Sequence, residues 1–146
     1  MPRFAQGKFE PKNPNKYVGN KMPMARSSWE FVFMKMLDEH PGVESWASES
    51  VQIPYRDPLS GKQTIYVPDF FVVYKNKTGK KKAELVEVKP SNQTLRERVG
   101  KSRYNQEQYI KNLAKWEAAN AWCKQQGIQF RVINEDDIFH QGGKRK

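Results

Sequence analysis

The sequence predicts a mixed α/β domain: a four-stranded mixed sheet flanked by helices, with elements in the order α-β-β-β-α-β. Three observations predict it. A capped amphipathic segment stands early, over residues 27–40. Three segments of strand character follow, joined by links too short to hold helices. A long helical stretch, residues 105–126, then leads into a last alternating segment, residues 128–133, and such a helical crossover makes the sheet mixed.

Ahead of these elements, residues 1–25 read as a basic N-terminal arm. Pro2, Pro11, Pro14 and Pro23 interrupt regular structure. Arg3, Lys8, Lys12, Lys16 and Lys21 are opposed by Glu10 alone, with Phe4, Phe9 and Tyr17 interleaved. Two readings are open: a loose terminus, or an arm lying along DNA phosphates. The domain itself is expected over residues 26–140, and residues 141–146 as a mobile basic tail.

The first helix is expected from Ser27 or Ser28 to just before Pro41. Ser27-Ser28-Trp29-Glu30 carries a capping-box pattern, with Ser27 as N-cap and Glu30 at N3. Phe33, Met34 and Leu37 follow at helical spacing.

A first strand is expected over residues 49–55, where Val51, Ile53 and Tyr55 alternate and Pro54 marks an edge or an end. Asp57-Pro58-Leu59-Ser60-Gly61 is a turn. Residues 64–74, rich in β-branched and aromatic side chains, form the second strand. A basic link around Thr78-Gly79 leads to the third, residues 83–89, closed by Pro90. These links predict an antiparallel meander. Residues 91–104 are polar and basic. On the long helix, Ile110, Leu113, Ala114, Glu117 and Ala121 define one face, and Gly127 stops it. Ile128, Phe130 and Val132 alternate in the last strand, and Asn134 to Asp137 cap a final turn.

The totals narrow the function. A chain of 146 residues makes one ordinary domain. Its 37% hydrophobic and 12% aromatic content excludes a disordered chain. No apolar run is long enough to span a membrane, and Met1-Pro2-Arg3-Phe4 does not open a signal peptide. The single cysteine, Cys123, excludes an internal disulfide and fits a reducing cytoplasm. Twenty-six Lys and Arg against sixteen Asp and Glu give +10, which favours a polyanionic partner, nucleic acid above all.

Two strand segments carry acids where strands avoid them: Asp69 within residues 66–73, and Glu87 within residues 83–89. Buried carboxylates need a partner or a metal. Strand alternation puts Glu87 and Lys89 on one face and Val86 and Val88 on the other. Pairing of the two strands makes Asp69 and Glu87 neighbours across the ladder. Taken alone, Glu87-Val88-Lys89 reads as a surface ion pair and Asp69 as a strand end. An acid-bearing strand 18 residues upstream, with a hairpin between, is far more specific. Two carboxylates beside an ammonium suit phosphodiester hydrolysis with a hard cation.

Pro68-Asp69 followed by Glu87-Val88-Lys89 resembles the PD-(D/E)XK motif of the restriction-endonuclease-like nucleases, over roughly residues 27–133. The resemblance implies that Asp69, Glu87, the carbonyl of Val88 and Glu30 bind Mg²⁺, with Mn²⁺ as a substitute, and that Lys89 positions the attacking water. For Glu30, helix capping stands beside this role. Arg26-Ser27-Ser28-Trp29-Glu30 and the last strand also resemble the TnsA endonucleases. Pro11-Lys12-Asn13 and Lys16-Tyr17-Val18-Gly19 resemble the arm of the head-completion nucleases of large tailed phages. TnsA proteins usually carry a further C-terminal domain, so the phage family is the expected one.

The expected partner is double-stranded DNA, held by Arg26, Lys12, Lys16, Arg96, Arg98, Lys101, Arg103 and Lys115 with weak sequence specificity. Lys115 has a second reading as part of a solvated helix face, with Trp116 packing on the sheet. The phage resemblance implies processing of DNA ends at the filled head, contact with head, portal or neck proteins, and a place in the host cytoplasm or on the virion head. The alternatives are a TnsA-like subunit that cleaves within a complex, and a basic virion protein that binds DNA without a metal. His40 and His140 lack metal-ligand spacing, and Cys123 lacks a catalytic partner.

Overall fold

Ser27 opens the first helix as its capping pattern requires. In the computed structural model, which describes residues 7–91, 96–134 and 136–137, the Ser27 hydroxyl accepts the Glu30 amide at 3.1 Å and Glu30 Oε1 accepts the Arg26 amide at 3.0 Å. In chain order the strands are β1 (Gly7–Lys8), β2 (Met24–Ala25), β3 (Val43–Ser48), β4 (Ile53–Arg56), β5 (Gln63–Tyr66), β6 (Phe70–Lys75), β7 (Lys81–Val88) and β8 (Gln129–Ile133). The helices are α1 (Ser28–Glu39), α2 (Arg96–Val99) and α3 (Arg103–Gln126).

The main sheet has four strands in the order β3-β6-β7-β8. β3, β6 and β7 are antiparallel neighbours, and β8 joins β7 in parallel. This is the mixed α/β architecture expected from the sequence, with α3 as the crossover.

The strand boundaries differ from expectation in two places. The strand expected over residues 49–55 is not in the main sheet. β3 takes that place, and Ile53–Arg56 pairs instead with Gln63–Tyr66 as a separate hairpin. Val43 to Ser48 shows little apolar alternation, yet Trp46 and Ala47 anchor it in the interior. The strand expected over residues 64–74 is broken at Val67-Pro68-Asp69, and β5 and β6 lie on either side. Pro68 donates no ladder hydrogen bond, so the chain passes there from the hairpin to the sheet.

Each face of the sheet has its own core. On one side Phe33, Met34 and Leu37 of α1 pack with Trp46, Phe70, Val72, Val86, Val88 and Ile133. On the other, Leu85 packs with Ile53, Tyr55 and Tyr66 of the hairpin and Trp116, Ala119 and Cys123 of α3. Full burial of each large apolar side chain contributes roughly 1.5–3 kcal/mol.

The buried stripe of α3 corrects the expected one. Asn112, Trp116, Ala119 and Cys123 face inward, whereas Ile110, Leu113, Glu117 and Ala121 are exposed. The stripe follows the large Trp116, about 100° around the helix from Glu117 on the expected face. Gly127 closes α3 with φ +75°, and its amide returns to the carbonyls of Cys123 and Lys124.

Residues 7–25, expected as an arm outside the domain, are packed into it. Phe9 and Ala25 belong to the α1 core, and Tyr17 stacks edge-on to Trp46 with ring centroids 4.7 Å apart. Buried Asp38 holds the segment: its carboxylate accepts the amides of Lys12 and Asn13 at 2.9 and 3.0 Å. The prolines deny this segment long elements but not burial. Residues 1–6 and 138–146, including the expected tail, lie outside the described residues.

Candidate active site

Asp69 leaves the break at Pro68 and stands one step before β6. The register Phe70↔Val86 therefore continues onto Asp69 and Glu87. The two residues are joined both ways: the Asp69 amide donates to Glu87 Oε1 at 3.3 Å, and Asp69 Oδ2 accepts the Val88 amide at 2.7 Å. The alternation of β7 sends Val86 and Val88 into the α1 core and turns Glu87 the other way. Lys89 Nζ lies 3.7 Å from Glu87 Oε2, and its amide is held by the Ile133 carbonyl at 3.0 Å.

Burial dominates the electrostatics. It pushes the Asp69 carboxyl well above its usual range, helped by the charges of Glu87 and Glu30 and opposed by the Val88 amide and Lys89. Burial also raises Glu87, while Lys89 and Tyr66 pull it down. Glu30 is raised by burial, against the Arg26 amide. Glu30 reaches the site from α1 with its Oε1 engaged in the helix cap. The capping role read from the sequence is thus present in this side chain, and its charge helps to raise Asp69. Among the described residues, no three His, Cys, Asp or Glu side chains stand close enough together to enclose a metal ion.

Lys115 comes to the same place from α3. Its ammonium lies 5.7 Å from the centre of the Tyr66 ring, and burial and then Lys89 push its pKa down. Trp116 packs on the sheet beside it. The other basic residues expected on DNA lie elsewhere. Lys16 Nζ caps the far end of α1 through the carbonyls of Asp38 and His40, at 2.9 and 2.8 Å. Lys12 Nζ is 3.7 Å from Glu39. That end is roughly 13 Å along the helix axis from Glu30, at about 1.5 Å per residue. Arg98 binds Ser91 and Asp136, both at 3.0 Å, and exposed Arg103 pairs with Glu107. Lys101 is exposed, and the Arg96 side chain lies outside the described residues.

Two residues here, Glu49 and Tyr66, escaped the sequence reading, and a third, Arg26, has a partner other than the one expected. Arg26, expected on DNA, forks onto Glu49 at 2.8 and 3.1 Å. Glu49 follows β3 and binds the Asp69 carbonyl through its amide at 2.9 Å. The Tyr66 hydroxyl is buried beside Glu87, and burial and then the Glu87 charge push its pKa up. A tyrosine on an alternating strand three residues before Asp69 is a usable signal for Tyr66. Glu49 gives none, because its place depends on a turn. Cys123 is buried, its thiol pushed up to about 11, and His40 accepts the Gly42 amide.

Comparison with known proteins identifies the class. Residues 40–135 match the TnsA-like endonuclease N-terminal family, and the chain belongs to that family of nucleases. The head completion nuclease of Enterobacteria phage T4 is 34% identical over 149 residues, which cover 94% of this chain and 96% of that protein. No helix among the described residues is long and apolar enough to cross a membrane.

Proposed function

We propose that this nuclease is a Mg²⁺-dependent DNA endonuclease of the PD-(D/E)XK type that processes DNA ends as a phage head is completed. One observation carries the chemistry: buried Glu87 and half-buried Asp69 converge from adjacent strands with the Lys89 ammonium 3.7 Å from Glu87. Two hard carboxylates side by side, with the Glu30 charge adding to theirs at Asp69, fit a divalent cation. Asp69, Glu87 and the Val88 carbonyl would hold the ion, and Glu30 would complete the set through water. When bound, the cation neutralises phosphate charge and acidifies a coordinated water.

The chain's own side chains do the rest. Lys89 holds a water for in-line attack and meets the charge that develops on the phosphoryl oxygens. Lys115, partly desolvated, approaches the scissile phosphate from the α3 side. The +10 net charge draws the duplex to the surface. The head-completion role rests on the relative's name together with coverage of nearly both full lengths, which favours it over a TnsA-like transposase subunit. In that role the protein works in the host cytoplasm, at the head and near portal or neck proteins.

The test is plasmid nicking in Mg²⁺, Mn²⁺ or EDTA by wild type and Lys89→Ala. Metal-dependent nicking that falls at least about 100-fold in the variant supports the proposal. Nicking in EDTA, or full activity of Lys89→Ala, overturns it.

A further inference from the structure

Among the described residues that carry a side chain, Glu49 alone has a positive φ, +50°. The other positive angles belong to Gly61, Gly79, Gly100 and Gly127. An L residue is disfavoured in this region, and glycine would sit there without a Cβ conflict. The Glu49 side chain therefore has to account for its presence.

It does not account for it through stability. The Arg26–Glu49 pair is partly exposed, with 52% and 27% of the two side chains accessible. Such pairs contribute little once solvent screens them. The connections are more telling. The Glu49 amide holds the Asp69 carbonyl at 2.9 Å, its carboxylate takes the Arg26 fork, and the Arg26 amide holds Glu30 Oε1 at 3.0 Å. Asp69, Glu49, Arg26 and Glu30 form one unbroken chain of bonds between β6 and the start of α1. The Glu49 charge is also felt by Glu30, whose carboxyl it helps to raise.

We propose that Glu49 is a positioning residue of the active site, which ties Asp69 to Glu30 through Arg26 and so sets the gap between these two acids. The inference rests on the reading of Asp69, Glu87 and Glu30 as a metal site. It explains why a strained glutamate stands where glycine would be easier: the αL turn brings its amide to Asp69 while its side chain points back to Arg26.

Glu49→Gly is the informative variant, because it relaxes the backbone and removes only the carboxylate. Mn²⁺ binding to the full chain, read from the electron paramagnetic resonance signal of the free ion, should weaken about tenfold or more in Glu49→Gly, with melting close to wild type. Arg26→Ala should weaken it similarly, and the double variant should be no worse than either single one, as expected for two links of one chain. The Mg²⁺ concentration for half-maximal nicking should rise in parallel. If Asp69→Asn abolishes Mn²⁺ binding while Glu49→Gly and Arg26→Ala stay within twofold of wild type, Glu49 has no positioning role. If Asp69→Asn itself binds Mn²⁺ normally, the metal-site reading has failed, and this inference falls with it.

Discussion

Asp69→Asn should make the metal-free protein more stable while it destroys activity. Glu87 is buried and Asp69 half-buried beside it; the charges of Glu87 and Glu30 raise the Asp69 carboxyl, and the ammoniums of Lys89 and Lys115 oppose this charge at the pair. Removing one negative charge relieves the repulsion of Asp69 with Glu87 and Glu30. An uncompensated buried charge costs more than the 1–3 kcal/mol of an unsatisfied neutral group, while weakening the bond from the Val88 amide, 2.7 Å in the wild type, gives back about 1 kcal/mol. The net gain is about 1–3 kcal/mol, or a rise in Tm of roughly 3–8 °C for a chain of this size.

The sign of the pH dependence follows. The folded carboxyl of Asp69 is raised above its unfolded value, so the fold is penalised wherever the group is ionised. That penalty is complete above the folded pKa and disappears as pH falls towards the unfolded value near 3.9. Wild-type stability in EDTA should therefore improve as pH is lowered from 8, and Asp69→Asn should flatten this slope. Added Mg²⁺ should raise the wild-type Tm by mass action, about 1.4 kcal/mol for each tenfold in concentration above Kd, and leave the variant unchanged. Calorimetry at several pH values, with EDTA or Mg²⁺, reads all of this. An Asp69→Asn protein that melts below wild type in EDTA at pH 8 would refute the reasoning.

Two further outcomes are expected. Asp38→Ala should destabilise the protein by roughly 2–4 kcal/mol, because it strips the partner from two part-buried amides, those of Lys12 and Asn13; denaturant unfolding measures the loss, and early proteolysis within residues 7–25 should accompany it. Lys115→Ala should slow nicking about tenfold or more yet leave Mn²⁺ binding at wild-type strength, since Lys115 is read as a phosphate contact and not as a ligand.

The fold was legible where a local pattern decides it. Ser27 and Glu30 announce α1 by a pairing four residues wide, and Gly127 ends α3 by a backbone angle that few other residues accept. Legibility failed where a distant partner decides. Val43 to Ser48 becomes a sheet strand because β6 pairs with it and Trp46 fills the α1 core, neither of which its own alternation reveals. Residues 7–25 look like loose chain until Asp38 and Trp46 are there to receive them. The inward face of α3 was set by the fit of Trp116 against Leu85 and the β4–β5 hairpin, not by a count of apolar side chains.

The site divides along the same line. Asp69 and Glu87 were readable as a pair because one hairpin separates them, and its register from Lys75↔Lys81 to Phe70↔Val86 needs a single further step to bring them opposite. A shift of one residue would turn Glu87 to the α1 side and place Val86 or Val88 beside Asp69, so the tight turn around Asn76 and Gly79 holds the acid pair as firmly as the strands do. Glu30 was readable because a helix start has its own grammar. The links between these two local units were not readable. Glu49, Arg26 and Tyr66 come to the acids from a β3 terminus, an N-terminal segment and a separate hairpin, and only the packed chain puts them in reach. The acids that define this site are therefore short-range in sequence, while the groups that orient them and adjust their charge are long-range.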